Sequence, residues 1–490
     1  MLFDSPIWSA RRAAISARLE TVRRNWLLVT LVVAAAFVYS LFSLLRHWHF
    51  GSGGHDLGIV DQAIWHYSRF ETPSTTVRFD PTPNLLGDHF SPILAVLSPL
   101  YWLFPNAGTL LVAQGVLFAL GLVPVYLFTR KRLGSLPGYC FAGAYALFWG
   151  IQVAVAFDFH EVAFAVPLAA FAIYFMDGKK WVGYFFCISL LLLVKEDMAI
   201  LVAFFGLCLI VQRQIKQGAV TFLAGALWFF LVIRVFIPSC HPPGDKFGYW
   251  GWYDQFGTDF SSILKNMLRN PLRVVRSVFE PWQKTLTLLA TFSPFGFLAL
   301  ISPLAILTIP IFLVRFLSNN SLWWGTGFHY SATLSPIVVM ASGDGLFRLS
   351  KLVGQARRRP RLIAAASILV LAINVALIPV CPLWKLTKPS FYCQSGNDVS
   401  GYKALEYIPS TASVVAQDEI IPHLSHRQEV YVLKSDAPDA DYIIAASALS
   451  PWPSNSYADI ERYLAERLES GYVTIFSENG WIVLERQPTT

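Results

Sequence analysis

Charged residues are scarce in this sequence: only 14% of its 490 residues are Asp, Glu, Lys or Arg, whereas 55% are hydrophobic. Soluble domains are about 45–50% apolar, so this composition argues against a soluble globular protein. The long apolar runs fall between Trp26 and Val380, and several are shorter than the roughly 20 residues that a straight membrane span needs. We therefore predict an all-α polytopic membrane protein with about 11 transmembrane helices.

Several familiar signals are absent. The six cysteines show no metal-binding spacing, and no nucleotide-binding loop, nucleic-acid motif or internal repeat is apparent. Nucleic acid is therefore not an expected partner. No cleavable signal peptide is predicted, because the first apolar run begins late and no small-residue cleavage site follows it. Cys240, Cys381 and Cys393 are expected outside the membrane, where a disulfide between Cys381 and Cys393 would join the last span to the domain that follows; the pairing stays open.

Lysine and arginine collect at alternate ends of the predicted spans, which places them all on one side of the membrane. The positive-inside rule makes that side cytoplasmic. Residues 382–490 contain 8 Lys or Arg and 14 Asp or Glu, so the net charge of +7 conceals a strongly basic membrane part. Insertion and contact with anionic membrane lipids explain that excess. We predict a protein integral to the prokaryotic plasma membrane, with a cytoplasmic N-terminus and an extracytoplasmic C-terminal domain. The basic clusters lie at residues 11–24, 130–132, 179–180, 213–216 and 357–361.

The sequence divides into three predicted parts: a cytoplasmic segment (1–25), a transmembrane domain (26–380) with outer loops at 46–108 and 238–284, and a small extracytoplasmic α/β domain (381–490). In the last part, short β-rich runs surround an amphipathic helix near Tyr457–Leu468. Asn479-Gly480 is a hairpin turn signal. The predicted strands are Ser413–Ala416, Glu429–Leu433, Tyr442–Ala445, Val473–Phe476 and Trp481–Leu484.

The most informative segment is HDLGIVDQAIWHYSRF, from His55 to Phe70, directly after the first span. It predicts an amphipathic helix with Asp61 and other polar residues opposite the apolar face. One interpretation is an interfacial helix whose charges face water. The other is functional, because carboxylates beside hydrocarbon are costly and mark sites by default. Asp56 is also placed as an N-cap of this helix, which is its structural alternative.

Further polar residues interrupt the apolar pattern at the outer boundary. His160-Glu161 and Lys195-Glu196-Asp197 are expected to line a water-filled cavity. Lys195 would hold a phosphate or pair with Glu161 or Glu196. Arg315, close in sequence to His329, suits a lipid-linked phosphate or extends to the interface. Asp88-His89 would bind a metal, assist a base or form a turn. Aromatic residues at 249–253 would form an interfacial belt or stack on a sugar.

The motif series HDLGIVDQAIW, GDHFSPILAVLSPLYWLFP, DFHEVAFAVPL, LLLVKEDMAI, FHYSATLSPIV and AQDEIIPHLSHR resembles a widespread prokaryotic family of multi-pass membrane proteins of unknown function. That family is in turn similar to GT-C glycosyltransferases, which transfer sugars from polyprenyl-phosphate donors outside the membrane. The resemblance implies a GT-C-like fold and transfer of a sugar to an extracytoplasmic glycan, lipid or protein acceptor. A transporter or lipid flippase, and a non-catalytic cell-envelope assembly protein, remain the alternatives.

The resemblance also implies roles for particular residues. Asp56 becomes the favoured catalytic base, with Asp61 as the second catalytic candidate. A divalent cation, Mg²⁺ or Mn²⁺, would be held by Asp56, Asp88 and His89. The expected acceptor or supporting contacts are His55, Asp88, His89, His160 and Glu161, and the expected donor-phosphate contacts are Lys195, Arg315 and His329.

Overall fold

The structure, a computed structural model, describes residues 6–78, 84–241, 248–352 and 358–488, with side chains described from Trp26 onward. The side chains of the basic cluster at residues 11–24 lie outside this description, as do Arg357 and part of the second outer loop (242–247). The chain before residue 381 is mostly helical. Its α-helices are α1 (Pro6–Trp48), α2 (Ile59–Ser68), α3 (Leu85–Asp88), α4 (Gly108–Leu120), α5 (Leu122–Leu133), α6 (Ser135–Leu147), α7 (Trp149–Val155), α8 (Val162–Asp177), α9 (Trp181–Leu192), α10 (Met198–Val211), α11 (Ile215–Leu231), α12 (Ile237–Cys240), α13 (Phe260–Arg269), α14 (Pro271–Phe279), α15 (Trp282–Phe292), α16 (Ile309–Phe316), α17 (Leu334–Ser350) and α18 (Arg359–Ala376).

Four helices of the described chain are long and apolar enough to cross a membrane, judged by length and composition. A fifth candidate is the pair α6 and α7, which bends by 42°. The other apolar helices have 10–17 residues, fewer than the roughly 20 of a straight span. The membrane class is therefore supported, but the predicted count of about 11 spans is not confirmed. The four helices are Trp26–Trp48, Gly108–Leu133, Ile215–Cys240 and Arg359–Val380.

Small residues bring α10 and α11 into close contact. A Cβ atom on Gly206 would lie 2.4 Å from the backbone nitrogen of Phe222, and one on Gly225 would lie 2.6 Å from the carbonyl oxygen of Ala199. Such close backbone approach is typical of helix pairs in membranes, where packing rather than hydrophobicity drives association. Because α10 begins directly after Asp197, this pair determines where the charged Lys195–Asp197 segment lies.

The first outer loop begins with a short π-helix (Gly54–Gly58) that continues into α2, and it ends with a 3₁₀-helix (Pro92–Trp102). The predicted amphipathic helix is therefore present, but most of its polar face is buried. Asp61 and Gln62 are fully buried, and His66 is 5% exposed. The interpretation of a water-facing interfacial helix is wrong, because the C-terminal part of the chain covers this face.

The C-terminal part holds a five-stranded sheet with strand order β2-β1-β3-β5-β4. The first three strands are parallel, and β5 pairs antiparallel with both β3 and β4. The predicted strands and helix agree with the structure, and positive φ angles at Asn479 (50°) and Gly480 (83°) fit the predicted hairpin turn. Helix α19 was not predicted. The elements are α19 (Gly396–Glu406), β1 (Val414–Ala416), β2 (Val430–Val432), β3 (Tyr442–Ala446), α20 (Tyr457–Glu469), β4 (Tyr472–Glu478) and β5 (Trp481–Arg486).

Aromatic packing joins this sheet to the end of α1. Phe50 is buried, and its ring lies 4.8 Å from that of Trp481 and 4.6 Å from that of His423. All six cysteines are free thiols. The proposed disulfide between Cys381 and Cys393 is therefore not formed, and side-chain packing connects the sheet to the membrane part.

Candidate functional site

A cavity of about 290 Å³ lies where several separate segments of the membrane part meet. Most of its wall is apolar, including Leu201, Phe204, Phe229 and Ile233. Polar groups interrupt this wall from the first outer loop, the α9–α10 connection, the second outer loop, α16 and the segment before α17. The polar and aromatic lining residues include His89, Lys195, Glu196, Asp197, Tyr249, Trp250, Tyr253, Arg315, His329 and Tyr330.

Arg315 contributes a positive charge to this cavity. Its guanidinium donates hydrogen bonds to the carbonyl oxygens of Trp323 (2.9 Å) and Gly325 (2.7 Å) and to the hydroxyl of Ser331 (3.0 Å). These acceptors are neutral, and among the described residues no carboxylate pairs with Arg315. The side chain is 3% exposed. A buried guanidinium held in place without a counter-charge is suited to an anionic ligand.

Lys195 is neutralised, in contrast to Arg315. Its Nζ atom lies 2.8 Å from Oε1 of Glu161, which confirms the expected pairing. Burial disfavours both charges, but their mutual attraction outweighs it, raising the pKa of Lys195 and lowering the pKa of Glu161 to about 2. The pair therefore remains ionised at neutral pH.

His89 and Asp88 belong to a hydrogen-bond network on the cavity wall. His89 Nδ1 lies 2.8 Å from Oε1 of Glu196, and His89 Nε2 lies 3.0 Å from the hydroxyl of Tyr249. The same hydroxyl donates to Oδ1 of Asp88 at 2.7 Å. Asp88 also forms an ion pair with Arg78. The network thus joins the first and second outer loops to the α9–α10 connection.

Asp56 lies in the π-helix, and two stacked imidazoles lie between its carboxylate and the cavity. His160 Nε2 lies 3.1 Å from Oδ1 of Asp56, and His160 Nδ1 donates to the carbonyl oxygen of Asp158 at 3.1 Å. Because both partners are acceptors, the geometry favours the doubly protonated imidazolium. The ring of His329, which lines the cavity, stacks on His160 with a centroid distance of 3.5 Å. Asp56 does not cap the helix, since the N-cap position is Gly53.

These contacts shift three pKa values. Burial opposes ionisation of Asp56, but the hydrogen bond and charge of His160 outweigh it and lower the pKa of Asp56. Burial would lower the pKa of His160, but Asp56 overcomes that effect and the pKa is raised. Burial, together with the charges of His160 and Lys195, holds the pKa of His329 well below its usual value. An imidazolium and a neutral imidazole therefore lie side by side.

Asp61 lies apart from this group, at the contact between the first outer loop and the C-terminal part. Its carboxylate is fully buried. It accepts hydrogen bonds from the hydroxyls of Tyr101 and Ser425, and His426 Nε2 lies 2.9 Å from Oδ2. By comparison, 32% of the Asp56 side chain is exposed. The structure therefore does not bring the two predicted catalytic acids together.

The residues expected to hold a divalent cation do not fit one. Asp56 is bonded by His160, Asp88 by an arginine and a tyrosine hydroxyl, and His89 by Glu196. Across the described ranges, no group of three or more His, Cys, Asp or Glu side chains has the arrangement of a metal site. The expected Mg²⁺ or Mn²⁺ ion is not confirmed.

Sequence reasoning missed several contributors. Tyr249 was expected in an interfacial belt or against a sugar ring and not in a hydrogen-bond network, and Asp158 appeared only within the motif DFHEVAFAVPL. The contacts that Asp418, Ser425 and His426 make with the first outer loop were also missed. Their signal was the AQDEIIPHLSHR motif, where acidic, hydroxyl and imidazole groups crowd a short connection between two predicted strands.

The fold is that of the GT-C glycosyltransferases. ArnT from Cupriavidus metallidurans bound to undecaprenyl phosphate superimposes with a TM-score of 0.54 at 14% identity, covering 94% of this chain and 99% of that one. Its apo state gives 0.53 at 16% identity, covering 96% and 100%. The oligosaccharyltransferase AglB from Archaeoglobus fulgidus, in complex with an inhibitory peptide and a dolichol-phosphate, gives 0.45 at 14% identity, covering 83% and 64%.

The sequence identifies the family. Residues 46–483 match the family described as predicted membrane protein (DUF2079), and the chain belongs to it. No curated protein matches the chain in sequence.

Proposed function

We propose that this protein is an integral membrane glycosyltransferase that transfers a sugar from a polyprenyl-phosphate donor to an extracytoplasmic acceptor. The observation that carries the proposal is the cavity, where the unpaired charge of Arg315 faces an apolar chamber. Asp56 lies behind the wall of the same chamber, where it contacts His160, whose ring stacks on the cavity-lining His329. A carboxylate and a cation beside one cavity are the two groups that this transfer requires.

The cavity suits the donor by both charge and polarity. A polyprenyl phosphate has an anionic head and a long hydrocarbon chain. Arg315 would contact the phosphate, with Lys195 and neutral His329 beside it, while the apolar wall around Phe204 and Phe229 would contact the first isoprene units. ArnT, which has the same fold, has been solved with undecaprenyl phosphate bound, and this supports a lipid phosphate as the ligand.

The proposed reaction is a displacement at the anomeric carbon of the donor sugar. The acceptor hydroxyl oxygen forms the new bond to that carbon while the bond to the phosphate oxygen breaks. Asp56, ionised because His160 lowers its pKa, takes the hydroxyl proton. The departing phosphate carries the bond electrons, and Arg315 stabilises its charge.

The proposed orientation follows from the basic clusters. The segment 1–25 would be cytoplasmic, the domain 26–380 would span the membrane, and the domain 381–490 would lie outside with the cavity. His55, Asp88, His89 and Glu161 would support the site, and the acceptor would be a glycan, lipid or protein.

The test is a transfer assay with the full-length protein reconstituted in liposomes and a panel of radiolabelled polyprenyl-phosphate sugars. The comparison is wild type against Asp56→Asn, with Asp436→Asn as a matched control at an exposed carboxylate. We expect Asp56→Asn to reduce transfer by about 10²–10⁴-fold without unfolding, and the control to leave it unchanged. Movement of the lipid-linked sugar across the membrane without transfer would instead identify a flippase.

A further inference from the structure

The helix that carries Asp56 has no cap of its own. The first N–H groups of a helix lack partners within it, and a Ser, Thr, Asp or Asn side chain at the N-cap usually accepts from one of them. The N-cap here is Gly53, which has no side chain to offer. Two carboxylate residues distant in sequence accept from this backbone instead: Asp158, between α7 and α8, and Asp418, after β1.

The three hydrogen bonds are short and sequential. Gly53 N–H donates to Oδ2 of Asp158 at 2.8 Å, Gly54 N–H donates to the carbonyl oxygen of Asp418 at 2.7 Å, and His55 N–H donates to Oδ1 of Asp418 at 2.8 Å. The next residue is Asp56. Asp418 therefore bonds two of the three residues that immediately precede the proposed base.

The glycines of this segment are explained by the same contact. A Cβ atom on Gly53 would lie 2.5 Å from Oδ2 of Asp418, one on Gly54 would lie 2.7 Å from Cβ of Ile421, and one on Gly58 would lie 2.8 Å from Cγ2 of Ile421. Gly53 and Gly58 have negative φ angles, so their backbone conformation does not require glycine. Glycine is required at these positions because the C-terminal segment approaches too closely for a Cβ atom.

A second contact holds the first turn of α2, which directly continues the π-helix. Asp61 accepts from Ser425 and contacts His426, and Nε2 of Gln62 donates to the carbonyl oxygen of Arg427 at 3.0 Å. The C-terminal segment 418–427 is thus bonded to the helix before and after Asp56. The π-helical turn between these contacts is a rare conformation that often occurs at functional sites.

We propose that the segment 418–427 is part of the catalytic site, and that Asp418 is a positioning residue that holds the backbone carrying Asp56 in register with His160. This inference rests on the proposed function. It assigns the C-terminal domain a direct part in turnover, because displacement of a reacting group by about 1 Å can cost roughly 10²-fold in rate.

The first experiment measures kcat, the KM for the donor and backbone hydrogen exchange for Asp418→Ala and Asp418→Asn in the reconstituted full chain. We expect Asp418→Ala to lower kcat by about 10–100-fold, to leave the donor KM within about 2-fold because Arg315 is untouched, and to accelerate exchange at residues 54–57. Asp418→Asn retains an acceptor oxygen, so we expect kcat within about 3-fold of wild type. Asp436→Asn serves as the control.

The second experiment uses the glycine contact. Gly58→Ala introduces a Cβ atom against Ile421, and the single variant is expected to lower kcat. In Gly58→Ala/Ile421→Ala the opposing Cγ2 atom is gone and the next atom of Ile421 lies 3.8 Å away, so we expect kcat to recover by at least about 5-fold over the single variant. Failure of this recovery, in folded protein, would count against the docking geometry.

The outcomes separate this inference from the proposed function. If wild type transfers no sugar, the proposed function fails, and the positioning claim is then decided by hydrogen exchange alone. Unchanged exchange at residues 54–57 in Asp418→Ala would overturn it. The positioning claim would also be overturned if activity fell only in proportion to the amount of folded protein. In that case kcat per folded molecule would equal that of wild type, and Asp418 would have a purely structural role.

Discussion

The imidazole of His160 holds the carboxylate of Asp56, with 3.1 Å between Nε2 and Oδ1. The two residues are far apart in sequence, and the contact brings the α7–α8 connection against the first outer loop. The other nitrogen of His160 donates to a backbone carbonyl, so the ring cannot rotate without losing a hydrogen bond. His160 therefore fixes the orientation of the Asp56 carboxylate and favours its ionised form.

Replacing His160 should move the pH profile of transfer. Asp56 acts as a base only when ionised, and the hydrogen bond and charge of His160 lower its pKa against the effect of burial. In His160→Gln the charge is absent, so the pKa of Asp56 rises and activity is lost at a higher pH as the solution is acidified. We expect the acidic limb of kcat/KM to move to higher pH.

His66→Gln is the matched control for this shift, because His66 bonds Glu71 and not Asp56. Its acidic limb should coincide with that of wild type. An unmoved limb in His160→Gln, measured in folded protein, would show that Asp56 is not the group that titrates.

Arg315 should determine how well the donor phosphate is stabilised. It is the buried guanidinium of the cavity that no described carboxylate pairs with, so its removal takes the charge from the departing phosphate. We expect Arg315→Ala to lower kcat/KM for the donor by about 10²–10³-fold, and Arg315→Lys to recover only part, because an ammonium lacks the planar fork. Steady-state kinetics over a range of donor concentrations measure this.

Arg234→Ala is the control for Arg315, since Arg234 is an exposed arginine in the π-helical turn after α11 and does not line the cavity. Its kinetics should match wild type. Equal losses in the two variants would indicate a general effect of positive charge rather than a donor site at Arg315.

The sequence predicted those features whose pattern depends only on residues close together in the chain. Charges that interrupt apolar runs are costly, and this alone indicated that the Lys195–Asp197 segment lines a cavity, whereas His160 and Glu161, expected beside it, lie behind the cavity wall. The strands of the C-terminal sheet were equally local signals, since alternation and turn residues mark them. Nothing in these patterns required knowledge of the other segments.

Contacts between distant segments were not predictable in this way. Asp61 and Gln62 form a polar face that, by periodicity, is expected to meet water, yet the segment around Ser425 covers it. The apolar residues between 293 and 316 form 3₁₀ turns and the short helix α16 rather than one long helix, and prolines stand at the start of three of these elements. In the first case, tertiary packing overrides the local pattern.

Replacing Asp61 tests whether this residue has a structural or a catalytic role. Its buried carboxylate accepts hydrogen bonds from Tyr101 and Ser425 and contacts His426. Asp61→Ala therefore leaves several polar groups without partners. We expect the free energy of unfolding to fall by about 1–3 kcal/mol, seen as a lower midpoint in thermal unfolding followed by tryptophan fluorescence. Loss of transfer should accompany loss of folded protein. Lost transfer at wild-type stability would instead restore the catalytic role predicted for Asp61 from its sequence.

Asp418 should make docking of the C-terminal segment depend on pH. Burial, together with the nearby charges of Glu419, Asp56 and Asp158, raises the pKa of Asp418 to about 7, against the opposing hydrogen bond from the backbone of His55. The docked state therefore binds a proton more tightly than the undocked one, and its stability falls as pH rises from the ordinary carboxyl range through about 7. Hydrogen exchange at residues 54–57 should accordingly be more protected at pH 6 than at pH 8, after correction for intrinsic exchange rates. The side chain in Asp418→Asn cannot ionise, so the difference in protection between pH 6 and pH 8 should become smaller than in wild type. A difference as large as in wild type would assign the pH dependence to another residue.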